Sequence, residues 1–120
     1  MKVSNPTGRL GEDLAAKYLQ KQGYKIIERN KSLGYGEIDI IAIEDKTLVF
    51  VEVKTRTSDL FGTPQEAIGY FKMQTLTRGA QYYKSLHPEL PEALRIDAVS
   101  VMLGSNKEAK IELIKNISFV

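Results

Sequence analysis

The chain has 120 residues, enough for one domain with one core and too few for two. It has no cysteine and a single histidine, His87, which excludes a disulfide framework, a thiolate zinc site and any site built on several imidazoles, so a metal would have to be held by carboxylates. Net charge is +2, the hydrophobic share of 42% is that of an ordinary globular domain, and no apolar run approaches the ~18 residues of a membrane span.

The opening, MKVSNPTGRLGED, lacks the apolar stretch of a signal peptide, which makes a reducing cytoplasm the expected compartment. Charge is uneven along the chain. Residues 1–36 carry seven Lys/Arg against three Asp/Glu, whereas residues 37–54 carry five acids against two bases. A basic arm beside an acidic block suits a polyanion held near a cation, and solvated helix lysines account for the same pattern.

In chain order, Asn5-Pro6-Thr7 opens a helix with a capping residue ahead of proline, and Gly23 closes it. Its apolar stripe is Leu10, Leu14 and Tyr18. A second stripe joins Glu12 to Ala16 and Leu19, so this acid could face inward. Tyr24 to Arg29, Glu37 to Ile43 and Leu48 to Thr55 read as strands rich in Ile and Val, separated by turn signals. Thr63-Pro64-Gln65-Glu66 is a capping box, followed by helical spacing to about Leu86, with Gly69 a point where that segment could break. Leu94 to Met102 and Lys110 to Ile117 read as two last strands. The order α, β, β, β, α, β, β predicts an α/β or α+β sandwich with a mixed sheet.

The stretch GEIDIIAIEDKTLVFVEVKTR holds the chemistry. A hairpin turning at Asp45-Lys46, or across Glu44 to Thr47, sets Ile43 opposite Leu48, Ile41 opposite Phe50, Asp39 opposite Glu52 and Glu37 opposite Lys54. The other face pairs Ala42 with Val49, Ile40 with Val51 and Ile38 with Val53, and is apolar throughout. A slip of one residue pairs charged with apolar side chains everywhere, so the alternation selects this register.

The register brings Asp39 and Glu52 to roughly 4.5–5.5 Å at Cβ, where like charges repel. Two readings account for them. In one, Lys54 and the diagonal Glu37 complete a surface charge network. In the other, Asp39 and Glu52 hold a hard divalent cation, Mg²⁺ or Mn²⁺, and Lys54 on the same strand face lies beside the metal-bound water. Lys54 then orients the nucleophile, stabilises charge on the phosphoryl group or, deprotonated, acts as base. These are the parts needed for phosphodiester hydrolysis. Arg56, next along that face, and Lys72, on the following helix, are candidate phosphate contacts, as well as ordinary solvated cations. Tyr35, between two glycines, either packs locally or stacks on an unpaired base. His87 before Pro88 reads as a helix-end residue, and Tyr82 and Tyr83 as core or dimer-contact residues.

Asp39 followed by Glu52-Val53-Lys54, with a helical Glu12 upstream, resembles the PD-(D/E)XK nuclease superfamily. GEIDIIA, LVFVEVKTR, LGEDLAAKYL, ERN before the second strand and RIDAVSV near the end resemble, more closely, the YraN-like family related to archaeal Holliday junction resolvases. The resemblance covers nearly the whole chain. It implies a single restriction-endonuclease-like domain over residues 1–120, a three-layer α/β/α sandwich with a mixed central sheet. It also implies a metal-dependent DNA endonuclease in which Asp39 and Glu52 bind the metal, Lys54 is catalytic and Glu12 completes the site. Ile38 stands where the superfamily name has proline. Branched or structured DNA is the substrate suggested by the resolvase likeness, and a homodimer presenting two sites suits so small a domain. A non-catalytic nucleic-acid-binding or protein-interaction module on the same fold is the rival reading, since fold does not fix function.

Overall fold

A computed structural model describes residues 6–34, 36–57, 69–104 and 108–117. Its elements are α1 (Pro6–Lys21), β1 (Lys25–Ser32), β2 (Glu37–Glu44), β3 (Thr47–Arg56), α2 (Tyr70–Leu86), β4 (Ala93–Leu103) and β5 (Ala109–Ile114), in the order expected from the sequence. The capping roles of Asn5 and of Thr63-Pro64-Gln65-Glu66, and both readings of Tyr35, lie outside the described residues. α2 begins directly after Gly69, whose carbonyl accepts the first helical bond from Met73. None of the described helices is long and apolar enough to cross a membrane.

The five strands form one sheet in sequence order, antiparallel except for β3 and β4. Parallel neighbours need a crossover, and the chain between them carries α2. Ala15, Ala16 and Leu19 of α1 pack with Ile40, Ala42, Val49, Val51, Val99 and Val101 on one sheet face. Met73, Leu76, Ala80 and Tyr83 of α2 pack with Ile41, Leu48, Phe50 and Ile96 on the other. The result is a three-layer α/β/α sandwich in which β3, buried on both faces, is almost continuously apolar, as parallel central strands are.

The hairpin register is the expected one: Glu44 pairs Thr47, Ile43 pairs Leu48, Ile41 pairs Phe50 and Ile40 pairs Val51. Asp45-Lys46 is the turn, with Asp45 at φ 55, in the left-handed region that Asp tolerates better than most residues. On α1 the buried face is the second stripe, Glu12, Ala16 and Leu19, together with Gly11 and Ala15. The apolar stripe Leu10, Leu14 and Tyr18 lies to the side, with Leu10 exposed. Small residues win this face because they let the helix approach the sheet closely. Gly23, at φ 96, ends α1 as expected: its N–H bonds Gln20 O while that of Tyr24 bonds Leu19 O, a Schellman closure.

The helix lies close on the sheet at Gly11. A Cβ there would stand 1.9 Å from Thr55 Oγ1 and 2.7 Å from Thr55 Cβ, so no side chain fits without moving α1 off β3. Gly11→Ala is expected to lower unfolding free energy by about 2–3 kcal/mol in urea titrations, the upper end for overpacking, despite alanine's better helix propensity. A variant as stable as wild type would show that the two elements are not in register at Thr55.

A buried polar network lies on the α1 side of the sheet. Asp97 is fully buried and accepts Tyr24 Oη at 2.6 Å, Arg95 Nε at 2.8 Å and Asn116 N at 2.9 Å. Arg95 also bonds Glu44, which pairs with Lys115 at 2.8 Å. Burial and the Asp97 carboxylate push the Tyr24 hydroxyl well above its ordinary range, while the ion pairs with Lys115 and Arg95 outweigh burial and hold Glu44 low. Asp97 is satisfied on both oxygens, as a buried charge must be. The network ties the end of α1, the start of β4 and the chain after β5 together. Of the remaining aromatics, Tyr83 is core and donates to Glu28, Tyr82 is exposed, and His87 caps α2 stacked on Tyr83.

Candidate active site

β2 and β3 do not stay paired to their ends. Their ladder runs from Glu44/Thr47 to Ile40/Val51, while β2 continues beside β1 to Glu37 and β3 beside β4 to Arg56. The sheet therefore forks at the position where Asp39 and Glu52 face each other. Asp39 Oδ2 accepts the Val53 backbone N–H at 2.9 Å, so a side-chain carboxylate satisfies a donor that a strand neighbour would otherwise take. On β1, Asn30 lies between the pairs Arg29/Ile40 and Lys31/Ile38 and has φ 53. Ile38 departs from the alternation of its strand. Alternation assigns it the face of Ile40 and Val53, yet it packs with Leu33, Met73 and Ala80 on the α2 side.

A cleft of about 1260 Å³ opens at this fork. Glu12, Glu37, Asp39, Glu52, Lys54 and Lys72 all line it, together with Arg9, Asp13, Arg29 and Asn30. Elements from both faces of the sheet thus deliver to one place the acids and the lysine singled out in the sequence. Glu37 is paired with Ser32 on β1 rather than with Lys54 across the hairpin. Arg56 is not among the lining residues: its Nη2 lies 3.5 Å from Ser100 Oγ on β4.

Asp39 and Glu52 are only 2% and 4% exposed, and each carboxyl acts on the other's charge across the fork. Burial first, and then Asp39, push the Glu52 carboxyl up to about 7, against a partial offset from Lys72, whose Nζ lies 3.1 Å from Glu52 Oε2. Two buried acids that face each other form a donor set of the kind hard divalent cations take. No third His, Cys, Asp or Glu joins them in a common cluster among the described residues.

Glu12 is held differently. Its Oε1 accepts Arg29 Nε at 3.1 Å, Arg29 Nη2 at 3.0 Å and Asn30 Nδ2 at 2.9 Å, and Arg29 also reaches Asp13 at 2.7 Å. The recorded bonds to Glu12 all end on Oε1. Arg29 and Asn30 were not assigned a role from the sequence. The available signal was their place in a strand, where Glu28-Arg29-Asn30-Lys31 interrupts apolar alternation. Arg29→Met should leave the buried Glu12 with Asn30 alone and cost about 1–2 kcal/mol in chemical denaturation, the half-exposed guanidinium limiting the loss. A neutral result would mean that the pair does not hold Glu12 in solution.

The model of the family described as uncharacterised protein family UPF0102 matches residues 11–101. The chain belongs to this family. It is the YraN-like group that the sequence motifs resemble. UPF0102 relatives include a protein of Caldicellulosiruptor bescii, 46% identical over 91% of this chain and 93% of that one. Another, from Syntrophomonas wolfei, is 44% identical over 95% and 98%. Among solved structures the UPF0102 chain is similar to a repair endonuclease from Pyrococcus abyssi, with TM-score 0.48 and 17% identity over 89% of this chain. It is also similar to Pyrococcus furiosus SfsA in complex with Ca²⁺, with TM-score 0.44 and 15% identity over 95% of this chain. It spans 42% and 64% of those two chains respectively.

Proposed function

We propose that the cleft is the active site of a divalent-metal-dependent nuclease that hydrolyses phosphodiester bonds in DNA. The observation that carries this reading is the contact between Asp39 and Glu52. Two buried acids against each other destabilise the fold, and packing has no need of them. Asp39 and Glu52 would hold Mg²⁺ or Mn²⁺, which take one or two carboxylates and fill their remaining positions with water and phosphate oxygens. Such an ion, when bound, polarises a phosphoryl oxygen and acidifies water.

The remaining chemistry belongs to the chain. Lys54 leaves the sheet beside Glu52 on β3 and presents its ammonium to the phosphoryl oxygens, where negative charge grows in the transition state. Lys72, paired with Glu52 in the absence of a cation, would be available to a substrate phosphate were Glu52 to hold one. Glu12, fixed through Oε1 by Arg29 and Asn30, offers its second oxygen to water or to a proton at the cleft wall. The likeness of the motifs to the PD-(D/E)XK superfamily supports the same assignments. Branched or structured DNA as substrate follows from the resolvase likeness and a homodimer with two sites from the small size of the domain, and these, with action in the cytoplasm, belong to the same proposal.

One observation favours a second reading, a non-catalytic nucleic-acid-binding or protein-interaction module: the Lys72–Glu52 pair already neutralises one acid without a metal. Labelled single-stranded, duplex, flapped and four-way-junction DNA, incubated with Mg²⁺ or Mn²⁺, separate the two. Metal-dependent cutting of any substrate is the expected result. No cutting on the whole panel, with tighter DNA binding by the Asp39→Asn, Glu52→Gln double variant, would establish the binding module instead.

A further inference from the structure

We propose that Tyr70 and Phe71 form a stacking platform for unpaired nucleobases at the edge of the cleft, which makes single-stranded segments the part of a substrate that the protein grips. The inference deepens the nuclease reading and rests on it for the strand's course through the cleft. Met73, Leu76, Ala80 and Tyr83 give α2 its buried face, and neither Tyr70 nor Phe71 belongs to it. Phe71 is 81% and Tyr70 61% exposed, the two most exposed large apolar side chains among the described residues. They are nonetheless ordered against one another, edge to face with centroids 5.7 Å apart, and Tyr70 Oη accepts Gln74 Nε2 at 2.7 Å. Two rings this exposed at the first turn of a helix bury little apolar surface.

Their position supplies the occupant. The next residue, Lys72, lines the cleft with its Nζ 3.1 Å from Glu52, and the two rings, which are not themselves lining residues, stand one and two positions before it on α2. On the nuclease reading a nucleic-acid strand passes along this cleft, which selects a strand over an apolar protein surface as the occupant. In continuous duplex the base faces are already covered by their neighbours, and an aromatic ring can add nothing to them. In a single strand they are free, and a ring can stack on them whatever the sequence.

The test uses the whole protein in EDTA, so that binding is read without cleavage, with fluorescein-labelled single-stranded and duplex DNA of equal length at fixed salt. Phe71→Ala should weaken single-strand binding about tenfold or more and change duplex binding less than twofold, with unaltered thermal melting. Tyr70→Ala, Phe71→Ala should weaken it further. Because the chain has no tryptophan, Phe71→Trp provides a direct reporter: its emission should be quenched by single strand and not by duplex. Equal losses on both DNA forms, no loss on either, or a change in sedimentation showing that Phe71→Ala splits a dimer would each overturn the platform. Cleavage is scored separately on wild type. Phe71-dependent single-strand binding without cutting would refute the nuclease and keep the platform, whereas cutting with Phe71-independent binding would do the reverse.

Discussion

Lys54→Ala should lower the metal-dependent cleavage rate by two to three orders of magnitude while DNA affinity at fixed salt falls only a few-fold. The asymmetry follows from where its charge acts. Binding of a strand is a sum over several phosphate contacts, and removing one cation subtracts one of them. The chemical step concentrates new charge on a single phosphoryl group, where losing one preorganised donor typically costs 10²–10³ in rate. Single-turnover rates and binding isotherms for wild type, Lys54→Ala and Lys54→Arg distinguish these terms. Equal losses in rate and affinity would reduce Lys54 to a phosphate contact, and an unchanged rate would remove it from the chemistry.

Glu52→Gln should melt well above wild type at pH 8, and the advantage should vanish by about pH 4. In the folded chain the Glu52 carboxyl titrates near 7, against an ordinary value of 4.5, because burial and Asp39 disfavour its charged form. The native state therefore holds a proton that the unfolded state releases between those two values. Wild-type stability falls as pH rises through that window and levels off above it, a loss on the order of 3 kcal/mol. Glutamine keeps the shape and cannot ionise, so the variant escapes the loss. The melting difference at pH 8 should be on the order of 10 °C. Millimolar Mg²⁺ or Mn²⁺ should narrow this gap from the wild-type side, since an ion bound only by the folded carboxylates stabilises by mass action. Asp39→Asn should abolish that metal response. Melting curves at pH 4, 6 and 8, with and without metal, give all of these quantities. A variant less stable than wild type at pH 8 would show that the pair is not strained, and a metal shift surviving in Asp39→Asn would move the ion elsewhere.

Most of the strand order, the hairpin register and the common location of Asp39, Glu52 and Lys54 were legible in the sequence, because they depend on local regularities. Period-two alternation in β2 and β3 admits one register, and shifting it buries charge along the whole hairpin. The spacing of Glu12 with Ala16 and Leu19 likewise placed that acid on an inward face of α1. Tertiary structure decided what depends on partners far along the chain. How closely α1 lies on the sheet turns on the contact of Gly11 with Thr55, 44 positions away, and no periodicity within the helix reports it. The fork at Asp39 and the switch of Ile38 to the α2 side arise where β2 stays with β1 and β3 stays with β4. The Arg29–Asn30 hold on Glu12 and the Lys72–Glu52 pair join residues 17 to 20 positions apart on different elements. Alternation specifies which side of a strand a residue takes. Whether that side is filled by a core, a cation or a cleft is settled only when helices and neighbouring strands compete for the same space.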